Sequence, residues 1–260
     1  MTQILQIYTN LAKTVAPVLV MLLFSIPALS QDMTAKEIIE KADQKMRGET
    51  SKSEMIIKVI RPSWQREMKL KGWSKGTKKS MTLITAPAKD KGTVFLKRDK
   101  EIWNWLPSIE RNIKLPPSMM MQSWMGTDFT NDDLVRESSI VTDYEHELLG
   151  DSTIDGRECW KIQLTPKPDA PVVWGKILSW IDKEHYMQLL TKFYDEDGYL
   201  VNTMIGSDIK EFDGKKLPAK MEMIPADKEG HKTVMITEWI EFNEPIEDGF
   251  FTTQNMKKIR

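Results

Sequence analysis

The chain has 260 residues, with 37 Lys+Arg against 38 Asp+Glu, 40% apolar residues, nine Trp, 17 Met and one cysteine. A charge balance near zero without a basic block lacks the electrostatic footprint of a nucleic-acid binder, and the composition is globular rather than disordered. The single Cys159 excludes an internal disulfide and any multi-cysteine metal site.

Residues 1–30 hold no acid and one basic residue, Lys13. An apolar run from Val15 to Ile26 and the small residues Ala28 and Ser30 follow it. This is the pattern of a secretory signal with cleavage after Ser30. The run is interrupted by Pro17 and is shorter than the roughly 20 residues a membrane span needs. No cysteine follows for lipid attachment, so the expected product is a single domain over 31–260, soluble and outside the cytoplasm.

Thr34-Ala35-Lys36-Glu37 forms a capping-box pattern. Ile38, Ile39, Ala42 and Met46 then recur at helical spacing up to Gly48, which predicts one amphipathic helix. Beyond Ser51 the period becomes two: Met55, Ile57 and Val59, then Met68 and Leu70, Met81 and Leu83, Val94 and Leu96. Further along come Trp160, Ile162 and Leu164, then Met221 and Met223, then Val234 and Ile236. Such alternation predicts strands with one buried face. Asp155-Gly156, Asp197-Gly198, Asp213-Gly214 and Glu229-Gly230 mark hairpin turns. The expected fold is mainly β (α+β): one large, curved antiparallel sheet of about a dozen strands with helices laid against it.

Residues 116–137 break this pattern. Pro116 to Gly126 is Met-rich and bounded by Pro and Gly, and Thr130-Asn131-Asp132-Asp133-Leu134 reads as a short capped helix. This insert is the expected lid over the sheet.

Catalytic signatures are not apparent. His146, His185 and His231 are isolated in sequence and show no metal-ligand spacing. No nucleophile elbow, phosphate loop or dinucleotide fingerprint occurs, so no cofactor is expected. Cys159, beside Trp160 in a predicted strand, reads as a buried small hydrophobe. Asp128, Asp132 and Asp133 form an acidic trio that helix capping explains more simply than a cation site.

The Trp and Met surplus either fills a β core or lines an adaptable apolar surface. Three successive methionines, Met119-Met120-Met121, cannot all point inward from a regular element, so with Trp124 and Met125 they favour an apolar ligand or a moving lid. A 16-carbon acyl chain represents on the order of 12 kcal/mol of burial. Crossing an aqueous compartment at useful rates therefore needs a protein cavity in place of the bilayer interior.

Trp103-Asn104-Trp105-Leu106-Pro107, Arg111-Asn112-Ile113-Lys114-Leu115-Pro116 and the run from Trp124 to Leu134 resemble the hallmark block of the outer-membrane lipoprotein-sorting protein family, the LolA-like and LolB-like periplasmic carriers. The resemblance implies an open antiparallel β-barrel or half-barrel of roughly 11–12 strands with a helical lid, and a cavity for acyl chains of lipoproteins or other lipids. It also implies loading by an inner-membrane transporter of the ABC or RND type and delivery toward an outer-membrane acceptor. The founding carrier is shorter and lacks this block, and its lid-holding arginine is not assigned to Arg61, Arg66 or Arg98.

The expected apolar site comprises Trp103, Trp105, Leu106, Met119, Met120, Met121, Trp124 and Met125 at the mouth, with Ile38, Ile39 and Ala42 of the first helix. No enzymatic step is expected. Two other readings stand beside it. One is an accessory module that docks on a transporter through 116–137. The other is a lipid hydrolase in which Asp128, Asp133 and His146 converge.

Overall fold

The computed structural model describes residues 33–99, 101–135, 139–170 and 172–259; the expected signal segment 1–30 lies outside them. Helix α1 (Ala35–Arg47) begins at the capping box. The Thr34 amide donates to Glu37 Oε2 at 2.8 Å and the Glu37 amide to Thr34 Oγ1 at 3.2 Å, so each side chain satisfies an amide the helix leaves open. Gly48, at φ 66°, ends it. Ile38, Ile39 and Ala42 are buried, as their spacing predicts.

Thirteen antiparallel strands follow: β1 (Thr50–Arg61), β2 (Trp64–Lys75), β3 (Lys79–Ala86), β4 (Val94–Arg98), β5 (Glu101–Leu106), β6 (Arg111–Lys114), β7 (Tyr144–Ile154), β8 (Arg157–Pro166), β9 (Lys176–Asp182), β10 (Gln188–Tyr194), β11 (Leu200–Phe212), β12 (Lys215–Pro225) and β13 (Lys232–Phe242). They form one sheet in the order β6-β5-β4-β3-β2-β1-β13-β12-β11-β10-β9-β8-β7. The chain therefore lays down two meanders, and β13 returns to join them at the centre by pairing with β1. β6 and β7 are the two outer strands, so the sheet is open and not closed into a barrel, with slightly more strands than the alternation predicts. Asp155-Gly156 and Asp213-Gly214 both hold positive φ at each residue, the backbone that two-residue hairpins need to match strand twist.

The insert between β6 and β7 is built from single turns rather than long helices. It holds 3-10 turns at Pro117–Met119 and Trp124–Gly126, then α2 (Asn131–Val135) and α3 (Ser139–Thr142). α2 starts with a second reciprocal cap. The Thr130 amide donates to Asp133 Oδ2 at 2.8 Å and the Asp133 amide to Thr130 Oγ1 at 3.0 Å.

Both faces of the sheet are covered around β2–β5. On the outer face, Trp73, Met81, Leu96 and Trp103 stand opposite one another across four strands. The C-terminal stretch lies over them: Ile246, Phe251 and Met256 pack with Met81, Leu83, Val94, Leu96 and Trp105, and Phe250 meets Trp73 at 5.4 Å. Asp248 anchors this stretch to Lys75 and Lys79 at 2.7 and 3.0 Å. The described residues from Thr34 onward fall into one compact unit.

Candidate functional site

The inner face of the sheet surrounds a cavity of about 340 Å³. Its wall takes residues from β1–β4 on one side and from β8–β10 on the other, so the sheet must curl around it. Ile57 and Leu70 line it from β1 and β2, Phe95 from β4, Leu164 and Ile177 from β8 and β9, and Phe193 from β10. Met221 and Met223 of β12 and Met235 of β13 complete the floor. Ile39, Ala42 and Met46 of α1 close one side of the roof, and Trp124, Phe129 and Ile140 of the insert close the other.

Trp124 is 2% exposed and lies 5.1 Å from the Phe95 ring, so the insert is seated by an aromatic plug. Polar contacts then clamp it. Arg61, at the end of β1, donates from Nη1 to Asp128 Oδ2 at 2.9 Å and from Nη2 to Asp128 Oδ1 at 3.0 Å. The same guanidinium donates to the carbonyls of Gly126, Ile60 and Lys232. Thr233 of β13 donates to Asp128 Oδ2 at 2.7 Å and accepts from the Asp128 amide at 2.9 Å. Arg66 of β2 donates to the Met125 carbonyl. The Arg61 and Asp128 side chains are 10% and 7% exposed. A paired fork geometry fixes orientation as well as energy, so Asp128 is a structural latch.

Asp133 is held on a different anchor. Its Oδ1 accepts from Trp174 Nε1 at 3.0 Å, and Tyr144 Oη donates to the Trp174 carbonyl at 3.3 Å. Burial pushes the Asp133 carboxyl up against the hydrogen bonds that pull it down. Burial, and the neighbouring Asp132 and Asp133, push the Tyr144 hydroxyl up as well. His146 Nε2 lies 2.7 Å from the Ile140 carbonyl, and burial lowers its pKa. Asp128, Asp133 and His146 thus each serve a separate local contact. Among the described residues no group of three or more His, Cys, Asp or Glu is placed to hold a metal ion. Cys159 is a buried free thiol, and burial raises its pKa. No helix among the described residues is long and apolar enough to cross a membrane.

Of the residues that the sequence points to, Ile39, Ala42 and Trp124 line the cavity. Ile38 is fully buried beside them without reaching it. Trp103 and Trp105 belong to the outer face, beneath the C-terminal stretch. Leu106, Met119, Met120, Met121 and Met125 are also absent from the wall. Met120 packs on Ile102 and Leu115, Met121 is 68% exposed, and Met125 packs against the cluster around Trp124. Met125 at φ 50° and Gly126 at φ 74° turn the chain sharply just after Trp124, and this sends neighbouring side chains in different directions.

The methionines that do line the cavity are Met46, Met55, Met204, Met221, Met223 and Met235. Their signal was present in the alternation, because Met55 shares a face with Ile57 and Met221 shares one with Met223.

A family model described as "-like: Uncharacterized protein" matches residues 76–258. No curated protein matches the sequence. A DUF1329 family protein from Desulfovibrio piger is similar in structure with a TM-score of 0.78 and 22% identity, covering 85% of this chain and 97% of that one. An outer membrane lipoprotein-sorting protein domain, described as putative, from Vibrio parahaemolyticus gives 0.75 and 22%, over 86% and 98%. A LolA superfamily protein from Nitrosomonas europaea gives 0.73 and 25%, over 85% and 99%. The chain belongs to the family of the matching model, and its fold is that of a LolA superfamily protein.

Proposed function

We propose that the protein is a periplasmic carrier that holds the hydrocarbon chain of a lipid or lipoprotein in its inner cavity and performs no chemical step. The observation that carries this reading is the cavity itself. Its volume of about 340 Å³ lies within the roughly 300–1,000 Å³ of small-ligand sites. Its wall is rich in aromatic, aliphatic and Met side chains, which solvate hydrocarbon without demanding one shape. The fold is one it shares with a lipoprotein-sorting domain, described as putative, and a LolA superfamily protein.

The roof supports transfer as well as storage. Its insert half is seated by the buried Met120, Trp124 and Phe129 and by a small set of polar contacts, so a partner that engages those contacts can release it. A carrier needs closed and open states within a few kcal/mol, so that loader and acceptor shift the balance between them. In this reading an inner-membrane transporter of the ABC or RND type loads the carrier, and release occurs toward an outer-membrane acceptor. Residues 1–30 direct export and are cut after Ser30.

Lipid extraction and native mass spectrometry of the purified protein test the proposal. Co-purified lipid is expected, together with its loss in Met235→Trp, which fills the cavity from the floor. A protein that emerges clean and rejects fatty-acyl probes overturns it.

A further inference from the structure

A wall required only to dissolve hydrocarbon would be apolar throughout, because a buried hydroxyl or charge costs free energy unless something bonds it. The inner face of β1–β4 is graded instead. Ser51, Ser74, Ser80 and Lys97 are directly opposed in register across the four strands, and all four line the cavity. Ser74 and Lys97 are 9% and 6% exposed. The Ser51 and Ser74 hydroxyls lie 2.8 Å apart. Each then keeps bonding capacity beyond the other, since a hydroxyl offers one donor and two acceptor positions.

The next row along the strands is Ser53, Gly72, Thr82 and Phe95. Gly72 makes room there, because a Cβ at that position would stand 2.7 Å from Ser53 Oγ. Beyond it the wall becomes Met55 opposite Leu70, then Ile57. The Asp43–Arg47 pair at the end of α1 lines the same cavity and is also buried. At about 3.3 Å per residue, the gradient from Ser51 to Ile57 spans roughly 20 Å, and the polar row is about 14 Å wide.

We propose that the cavity seats an entire amphiphile, with an oxygen-rich polar head on the Ser51–Ser74–Ser80–Lys97 row and one tail running over Ile57 and Leu70 toward Trp124. The inference rests on the carrier reading and narrows its cargo. The seated ligand is then a lipid whose small polar head enters the cavity together with its tail. Hydroxyl and phosphate heads share the required chemistry.

The test titrates the purified full-length protein, below micelle concentrations, with monopalmitoylglycerol, palmitoyl-lysophosphatidylglycerol and methyl palmitate, and follows tryptophan fluorescence. The tails match, and transfer out of water alone favours the ester, whose end is least polar. The inference expects at least one headed probe to bind tenfold or more tighter than methyl palmitate, and the stronger of the two identifies the head. In Ser51→Ala/Ser74→Ala the preference should fall to within about threefold, with methyl palmitate binding unchanged. Equal binding of all three probes to the wild type, or an equal loss of all three in the variant, overturns the inference and leaves the carrier standing. Binding of none overturns the carrier reading, and this inference with it. Should the double variant not fold, the wild-type ratio decides by itself.

Discussion

The Arg61–Asp128 latch offers the sharpest test of how the roof is held. Asp128→Ala removes both carboxylate oxygens from a guanidinium that is 10% exposed, and it strips Thr233 of its acceptor. Removing one member of a buried ion pair typically costs about 3–5 kcal/mol, because the remaining charge stays out of water. Some relief comes from the Gly126, Ile60 and Lys232 carbonyls that Arg61 already contacts, so the lower end, about 3 kcal/mol, is expected. At about 1.4 kcal/mol per factor of ten, that is more than a hundredfold in the equilibrium for releasing the segment.

Two measurements read this cost. Urea denaturation reports the global loss. Hydrogen exchange at the amides of Trp124, Thr127 and Asp128, which donate to Phe129, Trp124 and Thr233, reports the local opening. Arg61→Met/Asp128→Leu, which removes both charges, should recover most of the stability, since an apolar replacement of a buried pair is often close to neutral. A single variant that costs under about 1 kcal/mol, or a double variant no better than the single, refutes the latch as a buried, desolvated pair.

Further outcomes follow from the same contacts. Trp124→Ala should cost about 3–5 kcal/mol by urea denaturation and should also loosen ligand binding, because the residue is both buried core and cavity roof. Trp105→Ala should cost a similar amount, about 3–5 kcal/mol, while leaving lipid affinity unchanged, because its ring packs under the C-terminal stretch on the outer face. Equilibrium binding of a fatty-acyl probe separates the two. For Asp133, whose pKa is raised by burial, the folded chain holds its proton to higher pH than the unfolded chain does. Its contribution therefore becomes less favourable as pH rises from the ordinary 3.8 toward the raised value, and it stays at its least favourable level above that. Urea midpoints measured from about pH 4 to 7 should decline less steeply with rising pH in Asp133→Asn than in the wild type.

The carrier reading turns on how polarity is distributed through the interior. The buried Arg61–Asp128 pair stabilises little in itself compared with apolar packing, yet it fixes which segment docks where. Here the pair sits at the attachment point of the insert, so that closure has a defined seat that can also be undone.

Local chemistry was readable from the sequence wherever the partners lie within a few residues of each other. The Thr34–Glu37 box, the stop at Gly48, the Thr130–Asp133 box and the Asp-Gly turns all form over one to four residues. The period of two was equally legible and placed Ile57, Val59, Met68 and Leu70 on a buried face. That period, however, only divides a strand into two faces and does not say which of them encloses a cavity. In β4 the question has no sequence answer, because Val94, Phe95, Leu96 and Lys97 are all buried, two toward the cavity and two toward the C-terminal stretch. Trp103 and Trp105 went to the outer face for that reason. The Met119–Met121 run has no period at all, so its directions came from the turns around it. Arg61 and Asp128 lie 67 positions apart, and Ser51 reaches Lys97 only across three strand pairings. Contacts of that span depend on register and curvature, which are properties of the assembled sheet, and only the tertiary structure could decide them.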